Sequence, residues 1–219
     1  MFVHDIVGSE ANPVYQNLSI ENLDRQLSFL RSVVLASNGI GRPLLSMEVI
    51  KALNYHAIAC LHAYAGELRP CGVKVGDYVP PDHYQVPALM EMFIDEVNRS
   101  WDAADPVVLA AYVLWKLNRI HPFINGNGRA ARAACYFVLC LKMGGWLKGD
   151  PILPDLLKRD RDDYVAALKE VDASLPSGQL NLSPLHLLLV KLLNEQAPDG
   201  LKLDGAANNL STDGSQGDA

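Results

Sequence analysis

The chain has 219 residues, of which 49% are hydrophobic and 20% charged, and its formal net charge at pH 7 is −6. A chain of this length buries a sizeable core without needing disulfides or metal. The negative net charge argues against a protein that coats nucleic acid, because neutralising phosphates needs a basic face. The sequence shows neither a secretory signal at its beginning nor an apolar run of the ~20 residues that span a bilayer. We therefore expect a cytoplasmic protein with no nucleic-acid partner and no membrane partner.

Four cysteines are spread along the chain, at Cys60, Cys71, Cys135 and Cys140. They form no CxxC pair and no Cys/His cluster with zinc-finger spacing. We predict reduced thiols in the core, since free cysteine usually behaves as a small hydrophobic residue and a reducing cytosol preserves it.

Apolar residues recur at helical spacing from about residue 19 to residue 196, which predicts a mainly α fold. The first helix is expected to begin near Ser19, with Glu21 in its first turn, and to end at Gly39 and Gly41. A second helix is expected to begin at Ser46 and to run as far as Gly66.

The sequence pattern changes between Glu67 and Pro81, where small and β-branched residues alternate in the stretch GVKVGDYVPP. This alternation favours a short β-hairpin or flap. A third helix should begin near Pro87, and a fourth should begin with Asp105 as its N-cap.

A fifth helix is predicted from the glycine-rich loop at 125–128 to Lys142, and two further helices at 162–173 and 183–196. The segment 198–219 is rich in Gly, Asn, Ser and Asp, and is predicted to be disordered.

The stretch HPFINGNGRAARAACYFVL, residues 121–139, carries the chemistry. Two glycines permit tight turns directly before a helix, so several amide N–H groups should converge at a positive helix end and form an anion site. Arg129 and Arg132 are three residues apart and therefore lie on one face, where guanidinium groups bind the outer oxygens of a phosphate. His121, held by Pro122, is placed to remove a proton from an attacking hydroxyl.

This stretch resembles the signature of the Fic family, HPFx(D/E)GNGRxxR. The matching residues are His121, Pro122, Phe123, Gly126, Asn127, Gly128, Arg129 and Arg132. The resemblance implies a Fic-type helical bundle with a short β-hairpin flap. It divides the chain into an N-terminal helical extension packed on the core at 1–45, a Fic domain at 46–197 and the disordered tail.

The resemblance also implies an activity, the transfer of AMP from ATP to a Ser, Thr or Tyr hydroxyl of a target protein. His121 would be the general base. Gly126, Asn127 and Gly128 would hold the inner phosphates, and Arg129 and Arg132 the outer ones. The flap residues Val73, Lys74 and Val75 would pair with an extended segment of the target.

Asn125 departs from the family pattern, which has an acid there as the protein ligand to Mg²⁺ (or Mn²⁺). An amide oxygen ligates a hard cation without supplying charge. Three interpretations follow: the ion is held mainly by the nucleotide phosphates with Asn125 as a weak or water-mediated ligand, the activity is reduced, or another group is transferred.

A second family feature is an inhibitory helix with the pattern (S/T)xxxE(G/N), whose glutamate pairs with the second arginine of the signature. Residues 17–22 match only in part, because Asn17 replaces Ser or Thr. Glu21 is therefore either an inhibitory partner of Arg132 or a first-turn residue on a solvated helix face.

Three functions remain open on this reasoning. They are AMP transfer to a protein hydroxyl, transfer or removal of another phosphate-containing group at the same site, and a nucleotide-binding module that has lost turnover. The sequence identifies neither the target nor the oligomeric state, for which a homodimer is one candidate.

Overall fold

The computed structural model describes residues 1–41 and 45–201. Within these residues the chain is a helical bundle, which confirms the mainly α prediction. The helices are α1 Val3–Val7, α2 Pro13–Ile40, α3 Met47–Ile58, α4 Val86–Arg99, α5 Pro106–Ile120, α6 Asn127–Lys142, α7 Leu153–Arg159, α8 Arg161–Ser174 and α9 Ser183–Gln196. None of these helices combines the length and the apolar character that crossing a membrane requires.

Helix α6 is the centre of the bundle. It packs against α2, α3, α5 and α7, while α9 packs against α5, α7 and α8. Nearly every side chain of α6 from Ala130 onward is buried, so this helix lies in the core on all of its faces. The consequence for the site is that the first turn of α6 is held in a fixed place between α5 and α3.

The first long helix begins earlier than the sequence analysis expects. Asn12 is the N-cap of α2, because its side chain accepts a hydrogen bond from the Val14 N–H at 2.9 Å, and Pro13 occupies the first helical position. Ser19 and Glu21 therefore lie inside α2, and the prediction that Glu21 occupies a first helical turn is wrong.

Local capping signals predict other helix ends correctly. The Ser46 side chain accepts a hydrogen bond from the Val49 N–H at the start of α3. The Asp105 side chain accepts from Val107 and Val108 at the start of α5. Helix α3 nevertheless ends at Ile58 rather than near Gly66, and α7 is a further helix that the sequence analysis does not predict.

The segment 71–81 forms no strand in the part of the chain that the structure describes. The predicted hairpin is reduced to one bridge, in which Val75 and Tyr78 exchange backbone hydrogen bonds of 2.9 and 3.0 Å. Side chains hold the segment instead of a ladder, since Tyr78 donates its hydroxyl proton to the Arg119 carbonyl at 2.6 Å.

Two further predictions concern the cysteines and the C-terminal segment. Cys135 and Cys140 are buried as predicted, but Cys60 and Cys71 are exposed, so the prediction of four core thiols is wrong. The predicted disordered tail lies mostly outside the described residues, which end at 201.

Candidate active site

His121 lies at the C-terminal end of α5. Its backbone is left-handed, with φ 52° and ψ 60°, and its N–H donates to the Leu117 carbonyl at 2.9 Å. This conformation is uncommon for a residue other than glycine. It ends the helix and directs the following residues across the first turn of α6.

The ring of His121 has a defined tautomer. Nδ1 lies 3.4 Å from the Asn118 carbonyl oxygen, which can only accept, so Nδ1 carries the proton. Nε2 is then the basic nitrogen. Burial lowers the pKa of His121, the Asn118 carbonyl raises it, and the positive charge of Arg69 lowers it, so that the pKa lies below the ordinary imidazole value. This direction favours the neutral imidazole.

The loop between α5 and α6 is closed by Asn127. Its side chain is buried, accepts from the Phe123 N–H at 2.9 Å and donates to the Phe123 carbonyl at 2.8 Å. The side chain therefore serves the loop, and what Asn127 offers a ligand is its backbone N–H. No side chain caps the start of α6 in the part of the chain described, which leaves the first amides of the helix available to an anion.

Gly126 and Asn54 fix this loop against α3. Gly126 is left-handed, with φ 75°, and a Cβ there would lie 2.7 Å from Ile58 Cγ2 and 2.9 Å from Asn54 Nδ2. Asn54 is fully buried, donates to the Asn125 carbonyl at 2.8 Å and accepts from the Gly66 N–H at 2.9 Å. Its role is not evident from the sequence, because an asparagine inside a helix carries no motif that points to a loop 71 residues away.

A cavity of about 320 Å³ opens in front of this loop. His121, Gly128 and Arg132 line it together with Val75 and Tyr164. The remaining lining residues are Tyr78, Trp115, Asn118, Arg119, Arg161, Val165, Leu168, Lys169 and Asp172. Four cationic side chains and one carboxylate therefore face the cavity, which favours an anionic ligand.

Arg132 is the cation closest to the loop. A Cβ on Gly128 would lie 3.3 Å from its Nη1, so the guanidinium packs directly over the first turn of α6. Burial lowers the pKa of Arg132, and the nearby Tyr164 partly opposes this. Arg119, by contrast, is neutralised by Asp172 at 2.9 Å. No such ion pair joins Arg132 to an acid among the residues described.

Comparison with known proteins agrees with this geometry. Residues 44–139 match the model of the Fic/DOC family. This stretch of the chain is therefore similar to a Fic domain. The chain is 44% identical over 68 residues to "Protein adenylyltransferase Fic" of Drosophila willistoni, an alignment that covers 31% of this chain and 14% of the relative. It is 27% identical over 164 residues to the protein of the same name from Nematostella vectensis, covering 73% of this chain and 35% of the relative.

Solved structures support the same fold. A Fic domain containing signaling protein from Bacteroides thetaiotaomicron superposes with a TM-score of 0.64 at 23% identity, covering 89% of this chain and 74% of that chain. The chain spans about a third or less of the curated relatives named above. The similarity therefore concerns the stretch at 44–139 and the fold of this chain. The activity of the relatives is only proposed for this chain.

The two arginines of the Fic signature have different surroundings. Arg132 lines the cavity with His121, whereas Arg129 is bound within the protein. Its guanidinium donates to the Ala57 carbonyl at 2.9 Å, to Ser19 Oγ at 3.2 Å and to Asn125 Oδ1 at 3.1 Å. The structure therefore brings His121, Gly128 and Arg132 together and directs Arg129 toward α2 and α3.

Asn125 is engaged at both ends of its side chain. Oδ1 accepts from Arg129, and Nδ2 donates to Glu10 Oε1 at 3.0 Å. Glu10 also lies 3.3 Å from His62 Nε2, which in turn bonds to the Tyr15 hydroxyl at 2.8 Å. Partial burial raises the pKa of Glu10, but the bond from Asn125 and the charges of His62 and Arg129 outweigh it, and the pKa falls. The N-terminal segment thus contacts the signature loop through the Glu10 carboxylate, which accepts a hydrogen bond from the Asn125 side chain.

The donor set at position 125 does not fit a protein-held Mg²⁺. The amide oxygen is occupied by a guanidinium, which would repel a cation. In the parts of the chain described, no group of three or more His, Cys, Asp or Glu side chains is placed to hold a metal.

Glu21 and the flap residues complete the set predicted from sequence. Glu21 is exposed on α2, and no ion pair joins it to Arg132, although both lie in described parts of the chain. Val75 reaches the cavity, and Val73 and Lys74 precede it on the exposed segment. The main-chain groups of Val73 and Lys74 form no hydrogen bond with other described residues.

Replacing Gly126 by Ala should destabilise the chain by more than about 1 kcal/mol, because the left-handed backbone disfavours a Cβ and the new methyl would overlap Ile58. Gly72→Ala is the matched control, since a Cβ there meets nothing within 4 Å. Urea denaturation measures both. Equal stability of the two variants would contradict the close packing of the loop on α3.

Exchanging the amide and the carboxylate tests the contact between the N-terminal segment and the loop. Asn125→Asp places a carboxylate between Arg129 and Glu10, so attraction to the guanidinium offsets the repulsion from Glu10 and stability at pH 7 should change by less than about 1 kcal/mol. Adding Glu10→Gln should raise stability above that of Asn125→Asp alone, because it removes the repulsion and keeps the contact with Arg129.

The gain from Glu10→Gln should shrink at pH 4, where partial protonation of the two carboxylates weakens their repulsion. Thermal denaturation at both pH values is the measurement. A double variant no more stable than Asn125→Asp alone would show that the Glu10–Asn125 contact is not formed.

Proposed function

We propose that this chain is a protein adenylyltransferase, which transfers AMP from ATP to a Ser, Thr or Tyr hydroxyl of a target protein. The observation that supports it most directly is the placement of His121, with Nε2 as its basic nitrogen, in one cationic cavity with Gly128 and Arg132 at the start of α6. The relatives named adenylyltransferase agree with it.

In the proposed reaction, His121 Nε2 accepts the proton of the target hydroxyl, and that oxygen attacks the α-phosphorus of ATP. A new oxygen–phosphorus bond forms, the bond between the α-phosphorus and its bridging oxygen breaks, and pyrophosphate leaves. The backbone amides of Asn127 and Gly128 bind the inner phosphates, as helix N-termini bind anions. Arg132 binds the outer phosphates, and in doing so acquires the anionic partner it otherwise lacks.

The rest of the cavity suits the remainder of the nucleotide. Trp115, Tyr164 and Leu168 contribute aromatic and aliphatic surface to its lining. A purine ring binds such surfaces by stacking and burial. We place the base of ATP against these side chains, with the triphosphate running toward Gly128.

The target is proposed to bind along residues 73–75. Val73 and Lys74 have free main-chain donors and acceptors, and Val75 borders the cavity. An extended peptide that adds to this edge by main-chain hydrogen bonds would present a hydroxyl side chain near His121. The segment would then act as the target-binding flap, recognising the backbone more than the sequence.

The proposed reaction includes a divalent metal ion that no side chain at position 125 binds. Since Asn125 offers no free oxygen, Mg²⁺ or Mn²⁺ would be held by the phosphates of ATP rather than by a side chain at position 125. A cytoplasmic location and a homodimer remain predictions from sequence.

The engagement of Asn125 by Arg129 favours one alternative, a nucleotide-binding module without turnover. Transfer or removal of another phosphate-containing group at the same site is the other. Parallel incubation with α-labelled and γ-labelled ATP separates them. AMP transfer incorporates only the α label, a kinase only the γ label, and a binding module neither.

Replacing His121 by Ala should lower incorporation of the α label by about 10²- to 10⁴-fold, the usual contribution of a general base, and should leave ATP affinity nearly unchanged. His186→Ala, on α9 and outside the cavity, is the matched control. Label incorporation and equilibrium ATP binding are measured on the same preparations. An undiminished rate in His121→Ala would exclude this histidine as the base.

Replacing Glu21 by Ala should leave self-modification unchanged, because its side chain is exposed on α2 and does not reach Arg132. Glu91→Ala, another exposed acid within a helix, serves for comparison. The rate of α-label incorporation into the chain itself is the measurement. A rise confined to Glu21→Ala would support the inhibitory interpretation of this residue.

A further inference from the structure

Arg69 is a buried cation that pairs with no acid. Only 2% of its surface is exposed, and within the described residues no carboxylate lies at ion-pair distance from its guanidinium. Arginine is rarely buried without compensation, because removing its charge from water is costly. Its hydrogen-bond partners are backbone carbonyl oxygens.

The three carbonyls that Arg69 binds belong to separate parts of the chain. Nε donates to His121 at 2.8 Å, Nη1 donates to Cys71 at 3.0 Å, and Nη2 donates to Pro81. In addition, the Arg69 backbone N–H donates to the Pro122 carbonyl at 2.8 Å. Cys71 and Pro81 are the two ends of the segment that contains residues 73–75. A single side chain therefore ties both ends of this segment to the backbone of the proposed base.

The hydrogen bond from Arg69 supports His121, a residue with an uncommon backbone conformation. His121 has the left-handed conformation that side chains other than glycine rarely adopt. The His121 N–H donates to the Leu117 carbonyl, and the His121 carbonyl accepts from Arg69. The Arg69 guanidinium binds the carbonyls of His121, 52 residues away in sequence, and of Pro81, 12 residues away. These bonds set where residues 73–75 lie relative to the imidazole ring.

Lysine could not replace this fork. A guanidinium presents donors in a fixed plane, whereas an ammonium is a point charge on a flexible stem. Lysine at position 69 would keep the positive charge near His121 while losing at least part of the simultaneous contact with Cys71 and Pro81. Glutamine would lose both the charge and the fork.

We propose that Arg69 is a positioning residue for the transfer reaction, which fixes residues 71–81 and the His121 backbone in one register. This role rests on the proposed function for its catalytic consequence, but its structural part is independent of turnover. Misplacing a reacting group by about 1 Å lowers a rate by up to about 10²-fold, so a loose register would reduce transfer to a target strongly.

The test compares Arg69→Lys and Arg69→Gln with the unaltered chain. Arg99→Gln is the matched control, because Arg99 is exposed and donates to the Asp95 carbonyl within its own helix. Three properties are measured: hydrogen exchange of the Val75 and Tyr78 amides, the pH titration of the His121 ring by NMR, and α-label transfer with equilibrium ATP binding.

Both Arg69 variants should exchange the Val75 and Tyr78 amides faster than the unaltered chain, with the α6 core still protected. The His121 titration should move to higher pH in Arg69→Gln, because a charge that lowers its pKa is gone, and should stay nearly in place in Arg69→Lys. Transfer should fall by about 10- to 100-fold in both, with ATP affinity retained.

Unchanged exchange at Val75 and Tyr78 in folded variants would overturn the proposal. So would exchange that rises equally throughout the core, or failure of both variants to fold, since either result would make Arg69 a residue of general stability. If the unaltered chain transfers no label, the adenylyltransferase proposal fails, while exchange and titration still decide the role of Arg69.

Discussion

The site depends on satisfying the backbone of a loop that is pressed against the core. Residues 121–126 pass between α5, α3 and α6, where each residue is buried or partly buried and its backbone polar groups need partners. Side chains therefore supply the partners: Asn127 binds both polar groups of Phe123, Asn54 binds the Asn125 carbonyl, and Arg69 binds the His121 carbonyl. No side chain caps the start of α6 among the described residues, and Gly128 of its first turn lines the cavity.

Charge is distributed around this loop in an asymmetric way. Arg129 is bound on the side of α2 and α3 by two oxygens of the protein interior and by Asn125. Arg132 lines the cavity with His121, and no acid lies at ion-pair distance from it among the described residues. One guanidinium thus stabilises the loop, whereas the other is the one proposed to bind the phosphates.

Much of this could be predicted from sequence where the signals are local. The Asp105 cap, the turn at Gly126 and the pattern of α6 each depend on a few neighbouring residues, and the structure agrees with them. Asn12 and Pro13 are an equally local signal for the start of α2. The regular apolar spacing begins only near Ser19, however, and so predicts a later start. The common face of Arg129 and Arg132 was also predictable. Their different directions were not, because side-chain direction is set by acceptors such as Ala57 that no spacing rule places.

The contacts that hold the site are the part that sequence patterns do not contain. Asn54 is 71 residues from Asn125, Arg69 is 52 residues from His121, and Glu10 is 115 residues from Asn125. Each is a single polar residue without a motif around it. The flap illustrates the same limit, since its alternating residues predict a hairpin while the segment is held by Arg69 and Tyr78 with only one bridge.

The protonation of His121 links these features to the proposed chemistry. The ring must be neutral when it accepts a proton and cationic afterwards, and burial together with the charge of Arg69 favours the neutral form. A polyphosphate bound at Gly128 and Arg132 would bring negative charge into the same cavity, and that charge favours the imidazolium. In the proposed reaction, bound nucleotide would therefore stabilise the imidazolium in addition to the Asn118 carbonyl. Arg69 and the nucleotide act in opposite directions on one ring, so the balance between them sets the pH range in which this histidine can serve as a base.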